Sequence, residues 1–286
     1  MIHIIIMGGI LLMENYFKDK YGTNSGIYPS PYDNRDWHLD KLIPRGAVTI
    51  PDSYESSLAD FVYDQGNSSQ CAACAYNYIR YLQERDLTTG GSGIDTKFSP
   101  SYNYGNRITG EDFEGMYLRS ICKKGAEDGS IPWDTFPGFY SYLECKLKFT
   151  NNKDKWLEMG KPFAITSYYQ CSDREQVMQA IIECKAVLGG IYVYDCLYNT
   201  TKNGIVEYDK NRDYRNYGGH AIVIIGYRKD ENGKLWWKIV NSWGENWADN
   251  GTAWIPEDYP WLESPWALVD ANIDTKWETY KFRYNL

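Results

Sequence analysis

Residues suited to nucleophilic catalysis are few in this chain, so their positions are informative. Of its three histidines, His220 opens an apolar run at residues 221–227, and a second apolar run ends at Asn241. A cysteine, Cys71, lies far upstream of both. A thiol, an imidazole and an amide can act together, because the imidazole removes the thiol proton while the amide oxygen orients the imidazole. These three residues are therefore candidates for a site that attacks a carbonyl carbon.

The surroundings of Cys71 favour a reactive thiol. Ser69 precedes a helical pattern, so Cys71 is predicted to lie in the first turn of a helix. A free cysteine has a pKa of about 8.5, and both the positive end of a helix and a nearby imidazolium lower it. Gln65 comes just before this helix, where its amide can join the Cys71 backbone N–H in stabilising an oxyanion. We therefore expect a lowered pKa for Cys71 and an oxyanion-binding role for Gln65.

The two apolar runs that flank the histidine and the asparagine predict a β-hairpin. Asn232 and Gly233 lie between the runs, and this dipeptide is typical of a tight turn. Antiparallel pairing would bring Asn241 beside His220. Trp243 follows closely and could cover the resulting hydrogen bond and exclude water. A lone histidine at a strand edge is more often structural, but this pairing favours a catalytic role for His220.

Cys74 is a rival nucleophile. It falls in line with Tyr78 on the apolar face of the predicted helix, as a buried residue should, and Gln65 is too far before it. Cys71 and Cys74 also form a C-x-x-C pair, which can bind a metal or perform redox chemistry. A structural zinc site needs four ligands, and no second pair appears. A thiol oxidoreductase places the motif in a βαβ context, which is absent here. We predict no metal and no cofactor.

The order of predicted elements is helices first and strands later. Helices are predicted from Cys71, over residues 111–124, and after a capping box formed by Ser172 and Glu175. Strands are predicted at residues 191–194, 221–227 and 235–240. Without βαβ alternation, this order predicts an α+β fold with a helical half and a β-rich half.

Composition excludes several classes of partner. The net charge is −8, and no stripe of Lys or Arg is present, so nucleic acid and anionic membrane surfaces are poor candidates. The apolar run at residues 2–13 is shorter than the roughly 20 residues of a membrane-spanning helix. It also lacks the basic start of a signal peptide, which favours a cytoplasmic over a secreted protein. The oligomeric state and any pairing of the seven cysteines stay open.

Three sequence motifs together carry a family resemblance. Gln65-Gly66 stands six residues before Cys71, His220 stands between Gly219 and Ala221, and Asn241 begins the sequence Asn-Ser-Trp-Gly. In this order they resemble the papain-like cysteine peptidases, as a divergent member of bacterial or phage type. The separation of Cys71 and His220 falls within the roughly 130 to 150 residues of that family. The resemblance covers about residues 50–270.

The resemblance implies a two-lobe α+β fold with the active-site cleft between the lobes. The peptidase domain would span residues 47–286, with a helical lobe over about 60–160, a β-rich lobe over about 161–272 and a C-terminal tail. It implies peptide or protein substrates, hydrolysed through a thioester acyl-enzyme. Ser68 stands where the family has a disulfide-forming cysteine, and Ala72 where it has an aromatic residue. These departures leave two alternatives: a catalytically silent binding domain, or a thiol amidase or acyltransferase acting on a non-protein amide.

Residues 1–46 are predicted to form an N-terminal arm outside the peptidase domain. The prolines near Tyr28 favour an extended chain, and compact structure is expected to begin near Ile50. At about 3.3 Å per residue, the stretch from Tyr28 to Gly46 is long enough to cross a cleft. Pro-segments of the papain-like family run through the cleft. The arm therefore either limits access to the site or packs on the surface as a strap.

Overall fold

The computed structural model describes residues 26–43, 46, 48–87, 97–108 and 111–270. Over these residues the chain forms an α+β fold with two lobes, in which helices pack against a mixed sheet. The apolar run at residues 2–13 and the predicted C-terminal tail beyond residue 270 lie outside the described residues.

Helices dominate the first half of the described chain. Seven α-helices lie within the described residues: α1 Cys71–Leu87, α2 Pro100–Gly105, α3 Leu118–Asp128, α4 Tyr142–Asn151, α5 Lys153–Gly160, α6 Arg174–Cys184 and α7 Asp195–Tyr198. Short 3-10 turns occur at Leu39–Lys41, Trp133–Thr135 and Lys161–Phe163.

Strands dominate the second half. Those of the described residues are β1 Ile27–Tyr28, β2 Ser53–Glu55, β3 Met116–Tyr117, β4 Ser167–Gln170, β5 Val187–Tyr194, β6 Asn216–Lys229, β7 Leu235–Val240, β8 Thr252–Pro256 and β9 Trp261–Val269. They form one sheet in the order β3-β1-β6-β5-β9-β4, while β7 pairs with β6 and β8, and β2 pairs with β6. The long strand β6, which carries His220, therefore lies at the centre of the pairing.

Helix α1 begins where the sequence predicts. Its residues Cys74, Tyr78, Ile79 and Leu82 are all buried, as the periodicity indicates. The helix is buried on nearly all sides because it packs between the other helices and β6. Its first residue is Cys71, so the thiol lies at the positive end of the helix.

Three predicted helix boundaries are wrong. The helix predicted over residues 111–124 begins only at Leu118 and continues past Gly125. Gly125 lies inside α3 and does not end the helix. A glycine is needed there because the ring of Tyr76 packs against it, and a Cβ would lie 2.1 Å from the Tyr76 hydroxyl oxygen. The start of α6 also differs from the prediction. Its N-cap is Asp173 rather than Ser172, because the Asp173 carboxylate accepts the Gln176 backbone N–H.

The predicted hairpin is present. Strands β6 and β7 pair antiparallel, and Gly233 adopts a left-handed φ of 76° in the turn between them. The backbone N–H of Asp230 donates to the carbonyl oxygen of Lys234 and closes the turn. The turn and a register shift between Ile224 and Gly226 together place Asn241 beside β6.

Compact structure begins earlier than predicted. Ile27 pairs with Met116 of β3 on one side and with Gly219 of β6 on the other. Ile27 and Leu39 are fully buried. The expectation that compact structure begins near Ile50 is therefore wrong. Ile27 and Leu39 are buried by partners distant in sequence, which no local periodicity reveals.

A buried ion pair joins α1 to the end of β9. The Arg80 guanidinium donates to Asp270 at 2.7 Å and also bonds the carboxylate of Glu84, with all three side chains fully buried. Because α1 carries Cys71 and the sheet carries His220, this contact helps to set their relative position.

We predict that Arg80→Ala lowers the free energy of unfolding by about 3 to 5 kcal/mol, because it removes the guanidinium that faces two fully buried carboxylates. Urea unfolding followed by circular dichroism measures the change. Arg174→Ala is the matched control, since Arg174 pairs with Glu257 on the exposed surface and should cost less than about 1 kcal/mol. Equal losses in the two variants would contradict the proposed role of Arg80.

Candidate active site

A cleft of about 500 Å³ lies where the beginning of α1 meets the sheet. Its walls bring together Gln65, the loop before α1, His220 and Trp243. Cys71 and Asn241 lie directly behind these walls. The tertiary structure therefore gathers all five residues that the sequence predicts for the site.

His220 is oriented by Asn241. Its Nε2 atom lies 2.7 Å from Asn241 Oδ1, and the Ser242 backbone N–H donates to the same oxygen at 2.7 Å. Because that oxygen is an acceptor for Ser242, His220 Nε2 must carry the hydrogen. The neutral imidazole then keeps Nδ1 as its basic nitrogen. The predicted pairing of His220 with Asn241 is present, and it selects one tautomer.

Trp243 covers this hydrogen bond. Its ring centroid is 4.9 Å from that of His220, with the two ring planes tilted by 33°. His220 is only 4% exposed. Burial lowers the pKa of His220 to about 4, although the bond to Asn241 acts in the opposite direction. The imidazole is therefore neutral at pH 7 in this conformation.

The Cys71 thiol is fully buried. Burial raises its pKa to about 11, and the backbone N–H groups of Ala221, Ala72 and Cys71 itself offset only part of that rise. The expectation of a lowered pKa is therefore wrong for this conformation. Desolvation outweighs the helix dipole, and a neutral imidazole supplies no counter-charge.

Gly26 is the residue that covers the thiol. Its N–H donates to the Gly219 carbonyl at 2.9 Å, and its own carbonyl accepts the Met116 N–H at 3.1 Å. A Cβ at this position would lie 2.5 Å from Cys71 Sγ. The backbone of the N-terminal arm thus passes directly over the thiol, and only glycine fits so close.

Gln65 is linked to the histidine–asparagine pair through Ser242. Its Oε1 accepts the Ser242 hydroxyl at 2.5 Å, and its backbone N–H donates to the Ser242 carbonyl at 2.9 Å. One N–H of its amide donates to the Ser68 carbonyl at 2.6 Å. The amide has a second N–H for an oxyanion. Sequence reasoning assigned no role to Ser242, although it stands between Asn241 and Trp243.

Cys74 lies beneath the site rather than in it. It is 1% exposed and borders a small internal space together with Tyr63, Tyr78 and Val240. Burial raises its pKa well above the ordinary value. All seven cysteines are free thiols. Within the described residues, no cluster of three or more His, Cys, Asp or Glu side chains has an arrangement that could hold a metal ion.

No helix among the described residues combines the length and the apolar character that a membrane crossing requires.

The fold and the gathered side chains define a class. A helical lobe and a β-rich lobe that meet at a cysteine, a histidine and an asparagine form a papain-like thiol hydrolase fold. The family model described as "Papain family cysteine protease" matches residues 93–260. This match covers His220 and Asn241 and begins after Cys71. The chain belongs to the papain family of cysteine proteases.

Relatives and solved structures agree with this assignment. Cathepsin B-like CP2 of Giardia intestinalis is 47% identical, over 73% of this chain and 71% of the relative. Cathepsin B-like cysteine proteinase 4 of Caenorhabditis elegans is 28% identical over 64% of this chain, which spans about half of that relative's length (51%).

The fold is also that of xylellain, a cysteine protease from Xylella fastidiosa. The TM-score is 0.70 at 20% identity, and the match covers 87% of this chain and 97% of xylellain. The structure of proCathepsin B S9 from Trypanosoma congolense gives a TM-score of 0.66 at 15% identity, covering 87% of this chain and 86% of that one.

We predict that His220 stays neutral as the pH falls from 8 to 5, because its pKa is about 4 while the arm covers the site. An exposed imidazole would titrate near 6.5. Ring ¹⁵N chemical shifts of histidine-labelled protein measure both charge and tautomer, and His220→Gln assigns the signal. A His220 signal that is charged at pH 7 would contradict the neutral thiol–imidazole pair.

Proposed function

We propose that this protein is a cysteine peptidase in which Cys71 attacks the peptide carbonyl, His220 transfers the proton and Asn241 orients His220. The observation that carries the proposal is the hydrogen bond from His220 Nε2 to Asn241 Oδ1, on a strand adjoining the helix that begins with Cys71. It leaves Nδ1 basic. Peptides or proteins are the proposed substrates.

The reaction follows from the roles of these atoms. The Cys71 proton passes to His220 Nδ1 as Sγ bonds to the carbonyl carbon. The Gln65 amide and the Cys71 backbone N–H stabilise the oxyanion, a contribution of roughly 10²- to 10³-fold for one such donor. His220 then protonates the leaving amine, and the C–N bond breaks to leave a thioester. A water molecule, deprotonated by His220, hydrolyses the thioester and restores the thiol.

Two further roles complete the proposal. Trp243 shields the histidine–asparagine pair from water, which strengthens its hydrogen bond. The helical lobe comprises about residues 60–160 and the β-rich lobe about residues 161–272, so that Cys71 comes from one lobe and His220 from the other.

Full burial of Cys71 favours a second candidate function, that of a catalytically silent domain that binds peptides. A thiol amidase or acyltransferase acting on a non-protein amide would use the same side chains. Both differ from the proposed peptidase in a measurable way. A silent domain has no reactive thiolate, and an amidase with another substrate does not accept a peptide in its cleft.

We predict that an epoxysuccinyl peptide, which needs a working thiolate and a peptide cleft, modifies Cys71 and leaves Cys74 unmodified. Mass mapping after protease digestion locates the adduct, and Cys71→Ala is the control for specificity. The same protein should hydrolyse peptides from a mixed peptide library. Labelling at Cys74 would overturn the choice of nucleophile. A folded protein that neither labels nor cleaves, even after the arm is loosened by Arg119→Ala or removed by deletion of residues 1–46, would favour the silent domain or the non-peptide amidase.

We also propose that residues 1–46 form an arm that limits access to the site. Gly26 lies over Cys71, and Ser30, Asp33 and Asp36 farther along the arm bind the two lobes. Arg119 of α3 binds Asp36 through Nε at 2.6 Å and also contacts the carboxylate of Asp33. On β9, Glu263 accepts the Ser30 N–H at 2.8 Å. The arm is thus attached to both lobes.

We predict that Arg119→Ala raises the rate of peptide cleavage, because it removes the charge that holds both arm carboxylates. Arg119→Lys should raise it less, since the charge is kept. Lys124→Ala is the matched control on the same helix, because its ion pairs within the described residues are with Glu127 and Asp128 of α3 itself. Deletion of residues 1–46 should give a clear rise as well. An unchanged rate in both the Arg119→Ala variant and a folded deletion variant would mean that the arm is only a surface strap.

A further inference from the structure

A continuous aromatic wall extends from His220 along one side of the cleft. Next to Trp243 lies Tyr198, whose ring is parallel to the indole within 5° at a centroid distance of 4.9 Å. Tyr217 contacts Tyr198 edge-to-face, also at 4.9 Å. Both tyrosines border the cleft, and Tyr198 is 46% exposed. A large ring with an open surface thus lies close to the reacting groups, and the mechanism above does not use it.

The short helix α7 holds Tyr198 in this place. Its residue Leu197 is fully buried, and the Leu197 carbonyl accepts the indole N–H of Trp247 at 3.1 Å. Trp247 also packs edge-on against Trp243, with ring centroids 5.6 Å apart. The Tyr198 ring is therefore positioned by two buried contacts before any substrate binds, so little ordering is required on binding.

The chemistry identifies which part of a substrate meets this wall. The leaving amine must receive its proton from His220, so the residue that follows the cleaved bond lies against the imidazole and the rings beside it. Gly26 of the arm lies over Cys71 and bonds to Gly219, and the mutual contacts of Trp243, Tyr198 and Tyr217 do not involve it. The aromatic wall thus belongs to the leaving-group side.

We propose that Tyr198, together with Tyr217, forms a subsite that selects an aromatic side chain in the residue immediately after the cleaved bond. The inference rests on the proposed peptidase function. The subsite offers ring faces and ring edges, which attract another aromatic ring in stacked or edge-to-face geometry. Charges of both signs lie beside Tyr217, because Asp195 accepts the backbone N–H of Arg215 and the Arg215 guanidinium lies 4.8 Å from the Tyr217 ring centroid.

A peptide series tests the subsite. Quenched fluorescent peptides that differ only in the residue after the cleaved bond, with Phe, Ala or Asp there, are compared by kcat/KM. We expect Phe to exceed Ala on the order of tenfold, and Phe also to exceed Asp, which has no ring to stack. In Tyr198→Ala the Phe-to-Ala ratio should fall towards one, and Tyr198→Phe should retain it. Tyr214→Ala is the control, because Tyr214 packs against Tyr194 and Tyr208 instead.

A second measurement needs no variant. Amino-acid amides added to the wild-type protein compete with water for the acyl-enzyme, and they bind on the leaving-group side before they react. Phenylalanine amide should capture the acyl group on the order of tenfold better than alanine amide.

The outcomes separate the two proposals. If neither the wild-type protein nor the Arg119→Ala variant, in which the arm is loosened, cleaves a peptide of the series or of a mixed library, the proposed function fails and the subsite fails with it. If peptides are cleaved but Phe and Ala are equal in both measurements, only the subsite is overturned. A Phe preference that persists unchanged in a folded Tyr198→Ala variant also overturns the assignment to Tyr198. Thermal melting verifies the fold of each variant.

Discussion

The hydrogen bond between His220 and Asn241 is the contact on which the geometry of the site depends. It joins neighbouring strands of one hairpin, so the register of that hairpin sets its length of 2.7 Å. Ser242 extends it, because its N–H donates to the same Asn241 oxygen and its hydroxyl donates to Gln65. One local structure therefore orients the proposed base and the proposed oxyanion donor together. A shift of the hairpin by one residue would turn the Asn241 side chain away from His220.

Burial determines the charge state of the site. With Gly26 over the thiol, the pKa of Cys71 rises to about 11 and that of His220 falls to about 4, so both groups are neutral at pH 7. A neutral pair is favoured in a dry site, because separated charges lose their hydration there. The proposed arm would thus act on electrostatics as well as on access. Water entering an opened cleft would favour the thiolate and the imidazolium.

Two kinds of long-range packing hold the reacting groups in register. On the helical side, α1 packs against β6, and Arg80 joins it to Asp270 through a fully buried ion pair. On the other side, Trp247 anchors α7 and places Tyr198 on Trp243. The first arrangement positions the nucleophile. The second gives the cleft an aromatic surface that a substrate would contact.

The amino-acid sequence by itself determined the parts that depend on short-range patterns. Helical periodicity predicted α1 with Cys71 at its start, and turn chemistry at Asn232-Gly233 predicted the hairpin that pairs His220 with Asn241. Only the tertiary structure decided the strand at Ile27, the contact of Gly26 with Cys71 and the resulting rise in the thiol pKa. These features arise between segments distant in the chain. Desolvation and strand pairing depend on what surrounds a residue in space, and a local pattern carries no record of those neighbours.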